Sequence, residues 1–225
     1  NDGRLNNIRE LHVREDHVRE ALRLAEEGSP DFEEGSVGAG TGMCCLGFKG
    51  GIGSASRCVE LDGKEYTIGA LVLSNFGEEG NLVIGGRHYG SELLPKVKER
   101  LKSDIDSSLA KDKGSIIMLI ATDIPLSSRQ LERVANRAAI ALGRTGSYMG
   151  NGSGDIAIAF STANRMPHYS EQSLLEMKVI HEDAIDKVFE PAVEALEESI
   201  ISSLYHAKTT RGVRGKLIYG LREFI

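Results

Sequence analysis

Tryptophan is absent from the 225 residues, and aromatic side chains make up only 5% of them. Stacking platforms for bases are therefore not expected. Basic charge is also short: 27 Lys and Arg face 33 Asp and Glu, for a net charge of −6. A general nucleic-acid binder needs a basic excess on one face, so no nucleic-acid partner is expected. No run approaches the roughly 20 apolar residues of a membrane span, and no membrane partner is expected. Cysteine is sparse. Cys44, Cys45 and Cys58 are odd in number and lack C-x-x-C spacing, which argues against a disulfide framework or a zinc site. They read as buried free thiols in a reducing compartment, consistent with a cytoplasmic location. His12 and His17 are five apart and no H-E-x-x-H occurs, so no metal is expected. The first residue is Asn1 rather than Met, so the chain reads as trimmed, processed or cut from something longer.

What is present is a globular composition, 40% apolar and 27% charged, sufficient for one large domain or two small ones. Residues 16–27 place Val18, Ala21, Leu22 and Ala25 on one helical face, with Asp16 to cap and Gly28 to end. Three strands are expected over 40–48, 52–61 and 65–76, with a tight turn at Asp62-Gly63. A second hairpin is expected around Gly85-Gly86, and residues 95–113 read as a surface helix or insertion. The runs 115–123 and 154–162 read as buried strands, separated by one helix capped at Ser127 or Ser128. A long helix follows from Glu182 to Ala207, kinked or restarted at Pro191. Strands first, then alternating helices and strands, predict sheets covered by helices.

The stretch "EEGSVGAGTGM", residues 33–43, sets Gly38, Gly40 and Gly42 at alternate positions after Ser36. No lysine follows at P-loop spacing, and the nearest approach to a dinucleotide fingerprint, Gly51 to Ser56, ends in serine. The glycines therefore read as sites of close backbone approach within a sheet. Gly35-Ser36 has two readings. It is a loop dipeptide, or it is a bond the chain can cut itself. In the second, the Ser36 hydroxyl attacks the Gly35 carbonyl, and water releases a chain beginning at Ser36. Its new α-amine, with a pKa of about 7.7–8.0, would serve as base beside its own hydroxyl.

The wider block "EGSVGAGTGMCCLGFKGGIGSASR" closely resembles the self-processing junction of the DmpA-type aminopeptidases, which include L-aminopeptidase/D-esterases and β-peptidyl aminopeptidases. The likeness continues through "DGKEYTIGALVLSNFG", "GSIIMLIATDIPLSSRQLERVANRAAIALGRTGS" and "GSGDIAIAFSTAN", and begins earlier at "NDGRLNNIRELHVREDHV". It implies an α/β (α+β) four-layer αββα sandwich, similar to N-terminal-nucleophile hydrolases with different connectivity. Residues 1–35 would be the end of an α-chain segment and 36–225 the β-chain segment, both parts of one domain. The resemblance implies no cofactor. It implies a peptide, amide or ester substrate with a free amino terminus, and a homo-oligomer. It also implies a large segment before "NDG", with further strands and the group that recognises the substrate amine.

Carried over by position, Ser36 is the nucleophile and Gly35-Ser36 the cleavage site. An upstream asparagine is expected to donate to the oxyanion. Asn6 is favoured, Asn1 stands close behind, and Asn7 is a third candidate. Ser74 matches a serine that relays a proton or holds the α-amine in β-peptide-cleaving relatives. Those relatives place a glutamate two residues on, where this chain has Phe76. Asn75 is a further candidate on the same turn. Lys49 reads as a solvated strand lysine, Asp155 as a capping residue and Glu198 as a solvated helix residue. Two alternatives stay open. One is acyl transfer of the ornithine-acetyltransferase kind, which acetylornithine and glutamate would reveal. The other is a truncated, non-catalytic family member.

Overall fold

The computed structural model describes residues 3, 5–28, 31–101, 114–169 and 172–225. The segment expected as an insertion at 95–113 therefore falls largely outside the described residues.

Helix α1, Glu15–Glu27, forms where the 3.6-residue pattern predicted it, and Gly28 ends it. Its start differs from expectation. Asp16 lies in the first turn, and the backbone N–H of Arg14 donates to His17 Nδ1 at 2.9 Å instead. None of its residues is buried, so Val18 and Leu22 face outward.

The region 40–48 is not one strand. Glycine and a positive-φ Leu46 fold it into a minimal hairpin of β1, Cys44–Cys45, and β2, Phe48–Lys49. Strand β3, Gly51–Leu61, then pairs antiparallel with β4, Lys64–Asn75, over their whole lengths. Asp62 and Gly63 both have positive φ, the torsions a two-residue type I′ hairpin requires. Around Gly85-Gly86 the expected hairpin is reduced to one bridge between Ile84 and Arg87. Helix α2, Tyr89–Leu101, buries Leu93, Val97 and Leu101.

Strand β5, Ser115–Thr122, runs antiparallel to β4, and β6, Ile156–Ser161, runs parallel to β5. The sheet order is β3-β4-β5-β6. The helix expected between β5 and β6 is split into α3, Ser128–Ala135, and α4, Ala138–Thr145. Short i→i+3 bonds, from Arg137 N to Val134 O and from Ile140 N to Arg137 O, turn the chain there. The Arg137 guanidinium then lies 3.8 Å from the Phe189 ring centre. Ser127 caps α3 in a reciprocal box with Gln130. Helix α5, Asp186–His206, passes through Pro191 without restarting. Two short strands, β7 Thr210–Arg211 and β8 Leu217–Ile218, close the chain.

Helix α5 lies across β3 and β4, α4 packs on α5, and α3 covers β6. Core residues Ile68, Ala70, Val72, Ile116, Met118 and Ile120 point into this one helical layer, as strand alternation requires. Among the described residues, the opposite face is exposed along β5 and β6. Ile117, Ile156, Ile158 and Phe160 are 40–52% exposed. The expectation that 154–162 forms a buried strand is thus corrected. It is an edge strand whose alternating Ala and Ile give only the alanines to the helices. The thiols also differ from expectation: Cys45 is buried, Cys44 half-buried and Cys58 exposed.

Candidate active site

Gly35 is joined to the edge of β3 by one antiparallel bridge. Its N–H donates to the Ile52 carbonyl at 2.7 Å, and Ile52 N–H donates back at 2.9 Å. The Gly35 carbonyl accepts a second bond from Val37 N–H, also at 2.9 Å. Two backbone donors thus converge on the carbonyl before Ser36, at the distance that suits a developing oxyanion.

Three glycines make this approach possible. Gly35 has φ +80, and a Cβ on it would stand 2.4 Å from the His206 carbonyl group. A Cβ on Gly40 would lie 2.3 Å from the Gly35 oxygen, and one on Gly51 only 1.8 Å from it. Of the alternating glycines, Gly40 is thus a wall, with Gly51, of a cradle around one peptide group, whereas a Cβ on Gly38 would meet nothing, so Gly38 is not the site of close approach expected of it.

Ser36 is half-buried at the end of α5. Its Oγ accepts from Lys208 N–H at 3.1 Å and lies 3.3 Å from the Lys208 carbonyl. The same segment receives the start of the chain: Val213 N–H donates to the Leu5 carbonyl at 2.8 Å, and Leu5 is buried. Half-buried Asn6 follows directly, so segment 208–213 brings the two expected site regions onto one stretch of backbone. Asn7 bonds Glu10 through its side chain at 2.5 Å, a local turn contact. Asn1 lies outside the described residues.

Ser74 is fully buried and pairs with Gly51 across β3 and β4. The backbone stack therefore runs from Gly35 over Gly51 to Ser74. Among the described residues Ser74 Oγ is the buried side-chain oxygen without a hydrogen-bond partner. Such an orphan costs about 1–3 kcal/mol. Phe76, where the β-peptide-cleaving relatives place glutamate, is 2% exposed and belongs to the core. Asn75 takes a bond from Cys44 N–H at 3.0 Å and ties β1 to the end of β4.

Lys49 overturns its expected solvated role. It is completely buried, and its Nζ donates to the carbonyls of Gly40 and Gly50, both at 2.8 Å. It fastens the Gly40 wall of the cradle to the Gly50-Gly51 wall. Asp155 accepts from Ile116 N–H at 3.3 Å and Ser153 Oγ at 2.7 Å, a structural role as expected. Glu198 pairs with Arg57 at 2.7 Å on the solvated side of α5. That contact comes first, then Glu194, in holding the Arg57 guanidinium above its ordinary pKa.

Sequence reasoning missed Glu34, Ser54, Ser202 and His206. The Glu34 carboxylate accepts from both serine hydroxyls and lies 2.9 Å from His206 Nδ1. One signal was available: Ser199, Ser202, Ser203 and His206 recur at three- and four-residue spacing in the apolar helix α5. An open groove of about 790 Å³ is lined by Leu61, Lys64, Tyr66 and Ile180 at the turn end of β3 and β4. Eleven-residue β3 places it on the order of 30 Å from the cradle, so it is not the reaction site.

Comparison with known proteins supplies the remaining context. A family described as Peptidase family S58 matches residues 1–218. The chain is 42% identical over 225 residues to beta-peptidyl aminopeptidase BapA of Sphingosinicella microcystinivorans, covering 98% of this chain and 56% of that protein. Among solved structures, the PH0078 protein from Pyrococcus horikoshii OT3 is similar at 50% identity and a TM-score of 0.84, with 98% of this chain and 57% of that one covered. The l-aminopeptidase d-ala-esterase/amidase from Ochrobactrum anthropi, described as a prototype for the serine aminopeptidases and a variant of the ntn hydrolase fold, is 38% identical with a TM-score of 0.83. It is covered over 58% of its length, against 98% of this chain. The expected αββα class is thus the fold to which this sheet and its helical layer belong. The chain spans little more than half the length of these relatives.

Proposed function

The chain belongs to Peptidase family S58, and on that premise we propose that the protein it represents is a self-processing serine aminopeptidase. The carrying observation is the Gly35 carbonyl, held by two backbone N–H donors, walled by glycines and followed directly by Ser36.

Processing begins when Ser36 Oγ attacks the Gly35 carbonyl carbon. Charge gathers on the carbonyl oxygen, where Val37 and Ile52 N–H already point. The Gly35–Ser36 C–N bond breaks, the hydroxyl proton passes to the departing nitrogen, and an ester joins Gly35 to Ser36 Oγ. Water hydrolyses the ester. Gly35 leaves as a carboxylate, and Ser36 gains a free α-amine. Residues 1–35 and 36–225 become the two segments of one domain.

In the second reaction the neutral α-amine takes the Ser36 hydroxyl proton as Oγ attacks a substrate carbonyl. The substrate is a peptide, amide or ester with a free amino terminus. Its leaving amine or alcohol departs, and water releases the N-terminal amino acid from the acyl-enzyme. Asn6 is the oxyanion donor in this reading, supported by its seat on the segment that carries Ser36. Ser74 holds or relays the proton, supported by its buried, unpartnered hydroxyl. Neither reaction requires a cofactor.

Intact-mass measurement and amino-terminal sequencing of the full-length protein test the proposal. A fragment beginning at Ser36, together with release of an amino acid from an amino-acid p-nitroanilide, is expected. An uncut protein that hydrolyses such substrates at full rate would overturn it.

A further inference from the structure

Glu34 takes no part in the bond changes above, yet it is held on three sides. Its side chain is 13% exposed. One carboxylate oxygen accepts from Ser54 Oγ on β3, and the other accepts from Ser202 Oγ on α5. His206 Nδ1, at the end of α5, stands 2.9 Å from the second oxygen and 3.1 Å from the Ser202 carbonyl. Carboxylate and carbonyl oxygens only accept, so Nδ1 carries the proton and the imidazole donates to Glu34.

The residues before it lie at the surface: Asp31, Phe32 and Glu33 are all exposed. Gly35, directly after it, packs against the backbone of His206 and Ala207. The acyl side of the Gly35-Ser36 bond is therefore fixed by the Ile52 bridge and by Glu34.

We propose that Glu34 is a positioning residue for the self-cleavage step, a clamp between β3 and the end of α5 that keeps the Gly35 carbonyl in line with Ser36 Oγ. This rests on the processing reading of the site. The physical reason is that an intramolecular attack is steeply sensitive to placement: a displacement near 1 Å costs on the order of a hundredfold in rate. Glu34 touches neither Ser36 nor the reacting carbonyl. It acts through the position of the residue it precedes.

The test follows the first-order appearance of the Ser36 fragment by intact mass in the full-length protein. Glu34→Ala is expected to slow it about tenfold or more. Glu34→Gln, whose amide can still bond both serine hydroxyls, is expected to recover to within about threefold of wild type. Ser202→Ala alone is expected to slow cleavage about threefold and to add nothing on top of Glu34→Ala, because the two act as one unit. Should Glu34→Ala fail to fold, Ser202→Ala and Glu34→Gln decide the matter. A Ser202→Ala protein cutting at the wild-type rate overturns the inference, as does a Glu34→Gln protein more than about tenfold slow. Glu34→Ala cutting as fast as wild type overturns this inference alone. A wild-type protein that stays whole overturns the processing reading and this inference with it.

Discussion

The Gly35 carbonyl oxygen and the Gly51 Cα lie so close that a Cβ on Gly51 would stand 1.8 Å from that oxygen. Gly51→Ala must push the cleavage site off β3 or bend the strand. Gly51 also has φ +156, which alanine rarely adopts. Processing is expected to fall about a hundredfold. Time-resolved intact mass would show it, and a Gly51→Ala protein cut as fast as wild type would mean that the cradle plays no part.

Ser36→Ala is expected to remain whole and to lose peptidase activity, since one oxygen serves both attacks. Ser36→Cys is expected to be processed still, because a thiolate is a competent nucleophile. The wild-type fragment is expected to begin at Ser36, and its part within this sequence, Ser36 to Ile225, is 225 − 35 = 190 residues. Denaturing gels and amino-terminal sequencing distinguish the three proteins.

After processing, the Ser36 α-amine is expected to titrate at about 7.7–8.0. The neutral amine is the working base, and lowering the pH protonates it. kcat/KM should therefore climb as pH rises through this range and fall below it. A profile flat across about pH 6–9 would take the amine out of the base role.

Lys49→Met removes the donor to the Gly40 and Gly50 carbonyls while roughly keeping the volume. Each buried group left without its bond costs about 1–3 kcal/mol. At roughly 2–4 °C per kcal/mol for a chain of this size, Tm should fall by on the order of 5–10 °C. Calorimetry of the Ser36→Ala background measures this without interference from processing, and an unchanged Tm would contradict the clasp.

The open sheet face predicts opposite effects of one substitution in two settings. Residues 1–225 expressed alone should self-associate through Ile117, Ile156, Ile158 and Phe160, and Ile158→Glu should reduce that association. If a further layer covers this face in a longer protein, Ile158→Glu is expected instead to destabilise it by about 1.5–3 kcal/mol. Sedimentation velocity and thermal melting read the two cases.

Local rules were legible where the cause lies within a few residues. Asp62-Gly63, the Ser127–Gln130 box and the end of α1 at Gly28 all follow from neighbouring backbone needs. The family was legible through the long glycine block around Ser36. Exposure was not, because the alternating Ala and Ile of β6 read alike whether one face or both are covered. Lys49 looked solvated because lysine usually is. Its burial depends on the carbonyls of Gly40 and Gly50, which flank the short β1–β2 hairpin. Glu34 was invisible for a different reason. Its partners lie 20 and 168 residues away, and only the packing of α5 on β3 unites them.

The bridge between Gly35 and Ile52 also bears on how β3 keeps its outer border from recruiting other chains. β3 begins the sheet order and so presents unpaired peptide groups to one side. Farther along, Arg57 and Glu60 place charge on the strand, a common guard against lateral pairing. Near Gly51 and Ile52 the guard among the described residues is the Gly35 stub itself. On the processing reading, cutting the Gly35–Ser36 bond would make that stub a chain end held at the border by the Ile52 bridge and the Glu34 contacts, and an incoming extended backbone would have to compete with it for Ile52.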